Sequence, residues 1–169
     1  MARFLLFRKS FIFCKNPNLK LMKRITLILF LFVAFGVQSQ EAEWLTDFEK
    51  AKKTAQKQKK PILMYFTGSD WCGPCKMLKK DFWQSEEFVA QSNDFVLLEV
   101  DVPFRLDVIS ESQMKKNKAL QAKYNKEKSF PTLLALDASG RVKDKISAYS
   151  MLRDTAPYFA FIDKARSIR

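Results

Sequence analysis

Two cysteines three positions apart, Cys72 and Cys75, enclose Gly73 and Pro74 and carry the chemistry this chain is equipped to perform. Thiols at that spacing exchange with disulfides. One sulfur attacks to form a mixed disulfide, and the second, one helical turn deeper, closes the ring and expels the other half. A cysteine at a helix start meets unpaired backbone N–H groups and the positive end of the helix dipole, both of which favour thiolate over thiol. Cys72 fits the attacking position and Cys75 the resolving one. Pro74 falls in the first turn, where its missing N–H costs little, and Gly73 allows a tight backbone between the sulfurs.

Other uses of the pair are disfavoured by what surrounds it. The 169 residues include no His and only 3 Cys. Cys-His and Ser-His catalysis is therefore excluded, and zinc, which needs four ligands as a rule, finds no complete Cys/His set. A purely structural disulfide across a two-residue gap closes almost no loop and constrains the unfolded chain little. A Cu(I) site suits the ligand type, but the thiols lie beside Trp71 rather than among Met ligands.

The pair must be held at a junction, and the flanking pattern supplies one. Ile62-Leu63-Met64-Tyr65-Phe66 is a short continuous apolar run of the kind a doubly covered central strand shows. Lys76 to Trp83 then has helical spacing, with a kink or restart near Ser85-Glu86-Glu87-Phe88. Ahead of the strand, Trp44, Leu45, Phe48, Ala51 and Ala55 repeat at helical spacing and predict an amphipathic helix over 43–58. Phe95 to Asp101 reads as a second strand, and Ser110 to Tyr124 as a Lys-rich helix using Met114, Leu120 and Tyr124. Thr132 to Asp137 and Val142 to Ile146, joined by Asp137-Ala138-Ser139-Gly140, predict a hairpin. Met151 to Arg166 predicts a closing helix with Leu152, Phe159, Ile162 and Ala165 toward the core. The order implies one α/β domain whose mixed sheet has about four strands, two parallel crossovers and then an antiparallel pair.

Charge and length divide the chain in two. The net charge is +12, from 30 basic and 18 acidic residues, but seven of the basic ones and none of the acidic ones lie in residues 1–39. That leaves 23 basic against 18 acidic residues over 40–169, a scattered balance of +5 that argues for solubility and not for a nucleic-acid surface. Met22-Lys23-Arg24, the apolar run Ile25 to Val37, and Val37-Gln38-Ser39 have the build of a secretory leader cleaved after Ser39. An uncleaved membrane anchor is the alternative. Residues 1–21 fit that leader badly, so Met22 is a candidate initiator, and Cys14, in Phe-Ile-Phe-Cys, falls outside the mature chain whether translation starts at Met22 or the leader is cleaved from a Met1 start. Export would leave Cys72 and Cys75 in a periplasmic or other extracytoplasmic compartment, where disulfides persist.

Trp71-Cys72-Gly73-Pro74-Cys75-Lys76 after an apolar strand, with Phe130-Pro131-Thr132 ahead of a later one, resembles the thioredoxin superfamily over residues 43–166. Within it the chain is similar to exported bacterial members with an added N-terminal helix and a longer segment, here Val102 to Asn117, before the cis-proline. The resemblance implies that Cys72 attacks, Cys75 resolves and Pro131 is the cis-proline, with Phe130 and Thr132 lining the substrate groove. It implies no cofactor beyond the redox-active disulfide and no metal. The implied partners are protein thiols and disulfides, with a membrane or soluble thiol reductant upstream. Gly-Pro between the cysteines resembles the reducing members, which favours reductase or isomerase over oxidase.

Two departures accompany the match. Reducing members usually carry a buried Asp in the strand before the motif and a Lys near it on the next strand; those places hold Tyr65 and Leu97. Asp70 and Lys76 flank the motif with opposite charges, and Asp101 reads as a turn residue. The departures leave open a non-catalytic module that holds a partner polypeptide in the groove and on the Val102 to Asn117 insertion. A peroxidase, with a Cys72 sulfenic acid resolved by Cys75, is a third reading.

Overall fold

Strand β2 (Ile62–Thr67) is buried along its whole length, and the rest of the structure is layered on its two faces. The computed structural model describes residues 42–168. The leader, its cleavage after Ser39, the start at Met22 and Cys14 lie outside the described residues. The remaining strands are β1 (Trp44–Leu45), β3 (Val96–Asp101), β4 (Thr132–Leu136) and β5 (Val142–Ser147). The helices are α1 (Phe48–Gln58), α2 (Gly73–Leu78), α3 (Glu86–Gln91), α4 (Glu111–Tyr124) and α5 (Ala156–Ala165). The sheet order is β1-β3-β2-β4-β5, with β1, β3 and β2 parallel and β4 and β5 antiparallel additions.

Alternation along β2 and β3 divides the core. Ile62, Met64, Phe66, Val96, Leu98 and Val100 face α1 and α4. Leu63, Tyr65 and Leu97 face the other way, toward the two cysteines and the buried residues of α2, α3 and α5. Each fully buried Leu, Ile or Phe contributes roughly 1.5–3 kcal/mol, so both layers are needed to hold the sheet.

The α/β layering follows the sequence reading, and three details differ from it. Trp44 and Leu45 are not the first turn of a helix but a fifth, edge strand paired with Leu97 and Leu98. Asp47 stops the helix from reaching back, because its side chain caps α1 by accepting from Lys50 N–H at 3.0 Å. Freed from the helix, the Trp44 ring packs edge-on against Trp83 at 4.8 Å.

The second connection also differs. The parallel crossovers are β1-α1-β2 and β2-α2-α3-β3, whereas β4, reached through α4, runs antiparallel to β2. An apolar run buried on both faces reads the same in either direction, so its pattern carries no strand sense.

Finally, α5 begins at Ala156, and Met151 and Leu152 are exposed. A helix starting at Met151 would carry Pro157 in its interior, where the ring breaks the backbone ladder; starting at Ala156 puts Pro157 in the first turn. The preceding segment is tied down instead by Asp81, which accepts from Tyr149 Oη and from Arg153 Nε, each at 2.8 Å.

Candidate active site

The strand-to-helix junction after β2 is built on Gly68. Its carbonyl accepts from Cys72 N–H at 2.8 Å, and a Cβ at this position would lie 2.3 Å from Trp71 Cε2. Glycine is therefore required here by the close approach of the indole. Asp101, at the end of β3, fixes the same turn by accepting from Ser69 N–H at 2.8 Å and Ser69 Oγ at 2.6 Å.

Cys72 is the N-cap of α2 and is disulfide-bonded to Cys75, with S–S 2.06 Å and Cα–Cα 5.3 Å. Cys75 N–H donates to Cys72 Sγ at 3.2 Å, a contact that a thiolate at Cys72 would strengthen. No acidic residue stands in the first turn of α2 to offset the positive helix end. Cys72 is 3% exposed and Cys75 2%, so only a sliver of the disulfide reaches the surface. Pro74 lies in the first turn, as the sequence predicts.

Gly73, expected to allow a tight backbone, is not held to glycine by its surroundings. A Cβ there would meet nothing within 4 Å, so neither space nor conformation demands glycine between the sulfurs. What glycine does leave is an open surface beside them.

Beyond α2 the helix widens into a π turn over Lys79–Trp83 and restarts at Ser85, whose hydroxyl accepts from Phe88 N–H at 3.1 Å. This is the kink expected from the sequence, and it sets Phe82 and Trp83 under the disulfide layer. Among the described residues, Trp83 Nε1 is a buried side-chain N–H without a hydrogen-bond partner.

The Phe130–Pro131 peptide is cis. The Phe130 ring meets Trp71 edge-on at 5.1 Å, which brings the two motifs together across 59 residues of chain. Thr132 Oγ1 donates to Ser129 O at 2.9 Å and is hydrogen-bonded to Ser147 Oγ at 2.8 Å, locking the start of β4.

The charged flanks are structural. Lys76 Nζ donates to Asp70 O at 2.9 Å. The Asp70 carboxylate accepts from Phe104 N–H at 3.0 Å and Arg105 N–H at 2.8 Å. Burial opposes ionisation of Asp70, but those N–H donors outweigh it and lower its pKa.

Behind the disulfide, Tyr65 and Leu97 occupy the sheet face that carries the cysteines. Tyr65 is buried, and its hydroxyl donates to Cys75 O at 3.3 Å. Burial pushes its pKa far above the ordinary tyrosine value, so it stays protonated. The sequence reading missed Glu99, a half-buried acid on β3 paired in register with Tyr65. Burial raises its pKa, the Lys79 charge lowers it and the Asp101 carboxylate raises it further, for a net rise. Residues 97, 99 and 101 share one face by strand alternation, which is the signal that could have found it.

The comparisons with known proteins agree with this geometry. A family model described as thioredoxin-like matches residues 43–138. The chain is 33% identical over 106 residues to the disulfide bond reductase DsbH of Chlamydia pneumoniae, covering 62% of each protein. It is 28% identical over 141 residues to the thioredoxin-related protein DsbJ of the same organism, covering 80% of this chain and 40% of the relative. The chain thus spans less than two thirds of the length of these curated relatives. A solved structure of a DsbH oxidoreductase superposes with a TM-score of 0.65 at 30% identity, covering 76% of this chain and 87% of that one.

Proposed function

Since the chain belongs to the thioredoxin-like family, we propose that it is a thiol–disulfide oxidoreductase acting on protein disulfides, a reductase or isomerase rather than an oxidase. The observation that carries this reading is the Cys72–Cys75 disulfide at the start of α2, where Cys72 Sγ caps the helix by accepting from Cys75 N–H, adjoining the cis Phe130–Pro131 turn through Trp71. In the reduced protein the Cys72 thiolate attacks one sulfur of a substrate disulfide, forming the Cys72 mixed disulfide and releasing the first substrate thiolate. Cys75, as thiolate, then attacks Cys72 Sγ, releasing the second substrate thiolate and leaving Cys72–Cys75 oxidised. Two electrons pass from the protein to the substrate, and both substrate sulfurs take up protons from solvent.

Trp71, Gly73, Pro74 and Lys76 shape the surroundings of the thiolate, Phe130 and the cis Pro131 border the groove that receives substrate, and Thr132, fully buried, fixes the start of β4 behind it instead of lining the groove as the resemblance implies. The Cys72–Cys75 disulfide itself serves as the redox group. The similarity to the reductase DsbH supports the reducing direction. Turnover then requires an upstream membrane or soluble thiol reductant that returns Cys72–Cys75 to the dithiol. The leader over 22–39 supports export to a periplasmic or extracytoplasmic compartment.

Insulin reduction by the full chain in the presence of dithiothreitol tests the reading. Turnover lost on Cys72→Ser is the expected result, and equal rates for variant and wild type would refute it.

A further inference from the structure

The segment joining β3 to α4 carries apolar side chains outward beside the reactive pair. Phe104 is 74% exposed, Leu106 85% and Val108 40%. A lone surface leucine needs no explanation, but a run of apolar side chains adjoining a reactive centre does.

The segment is anchored to the Cys motif from within. Trp71 Nε1 donates to Val102 O at 2.9 Å, and the Asp70 carboxylate accepts the Phe104 and Arg105 N–H groups. The Phe104 ring stacks on the Trp71 indole at 4.8 Å, with planes 14° apart, and Trp71 itself retains 36% of its surface. Ser110 then ends the segment by capping α4, its hydroxyl accepting from Gln113 N–H at 3.2 Å. Arg105 and Asp107 neutralise each other as an ion pair. The polar groups are thus spent inside the segment, and its apolar side chains remain unsatisfied.

We propose that Phe104, Leu106 and Val108 form a docking surface for the substrate polypeptide, selecting disulfides whose cysteine has an aromatic or aliphatic neighbour. The proposal rests on the oxidoreductase reading, because the occupant follows from continuity with the reactive site. A chain joined to Cys72 leaves past Trp71, the residue next to it, and Phe104 lies one ring away. A side chain a few residues from the substrate cysteine then falls on Leu106, two positions beyond Phe104 in the segment. With Arg105 and Asp107 paired, selection is by apolar contact and is insensitive to salt.

The test uses disulfide-linked homodimers of two decapeptides, one with Phe next to its cysteine and Leu three positions from it, and one with Ser in both places. Single-turnover reduction by the pre-reduced full chain should be about tenfold faster for the apolar dimer, at low and high salt alike. Leu106→Ser/Val108→Ser should shrink that preference to threefold or less. Equal rates for the two peptides, a preference kept by the double variant, or a preference abolished by salt would overturn the proposal while leaving the oxidoreductase reading intact. If neither peptide nor insulin is reduced, the oxidoreductase reading fails instead. Fluorescence anisotropy with Ser-for-Cys versions of the peptides then decides the docking surface: tighter binding of the apolar peptide supports it, and equal binding overturns it. Self-association of the chain that buries Leu106 and leaves it closed to peptide would also overturn it.

Discussion

Tyr65 on β2 stands opposite Glu99 on β3 in the parallel register, on the sheet face that carries the Cys72–Cys75 disulfide. The two have different chemistry available. Tyr65 is held neutral by burial and donates a hydrogen bond to the Cys75 carbonyl, so it orders the backbone of the resolving cysteine rather than titrating with it. Tyr65→Phe should therefore lower stability by about 1 kcal/mol, the usual worth of one neutral hydrogen bond. The pH profile of disulfide exchange should stay where it is. Urea unfolding and exchange rates between about pH 6 and pH 9 check both, and a displaced profile would give Tyr65 a part in proton transfer.

Glu99 behaves oppositely. Its folded pKa is raised, chiefly by burial, so the folded state holds the Glu99 proton more tightly than the unfolded chain does. The stability this contributes is fully present below the unfolded value of about 4.3 and is lost as pH rises through the folded value. At about pH 7.5 the charged carboxylate is a cost that Glu99→Gln removes. The variant should melt a few degrees higher than wild type there, and the difference should shrink toward zero at about pH 4. Thermal unfolding followed by circular dichroism at the two pH values measures it.

Asp137 closes the β4–β5 hairpin from a buried position, accepting from Ser139 N–H at 2.9 Å, Ser139 Oγ at 2.6 Å and Arg141 Nε at 2.8 Å. Burial opposes its ionisation, but the Ser139 hydroxyl and the Arg141 N–H groups prevail and hold its pKa well below the usual carboxylate range. Its contribution is present above the unfolded value of about 3.9 and is lost as pH falls through the lower folded one. Asp137→Asn should cost about 2 kcal/mol near neutral pH, with the gap to wild type narrowing in strong acid. Urea unfolding across that range tests the sign.

The reducing direction sets an expected potential. Equilibrated in thiol redox buffers and read by alkylation, the Cys72/Cys75 couple should lie near the thioredoxin value of about −270 mV. A value near about −120 mV would mark a disulfide donor.

The reactive pair was legible because its chemistry is local: Cys72, Pro74 and Cys75 lie within one turn, and the apolar run of β2 announces the strand that delivers them. Phe130-Pro131-Thr132 was legible as a motif, and the fold supplies its contact with Trp71. Trp44 and Leu45 look helical in sequence because helical spacing continues unbroken across Asp47, and only the cap and the partner strand distinguish the two segments. The spacing of Leu152 suits a core position on α5, but Pro157 sets a later helix start and leaves Leu152 exposed. The hold of Asp70 on Phe104 and Arg105 spans more than 30 residues of chain and follows from no local pattern. Gly68 and Gly73 look alike in sequence, yet only the first is fixed by its neighbours.

Capture of a mixed disulfide tests the central claim most directly. The full chain carrying Cys75→Ser, incubated with insulin and run on a non-reducing gel, should form a covalent adduct that dithiothreitol dissolves and that disappears when Cys72→Ser is added. An adduct that survives loss of Cys72, or no adduct from a folded Cys75→Ser chain, would contradict the assignment of Cys72 as the attacking thiol.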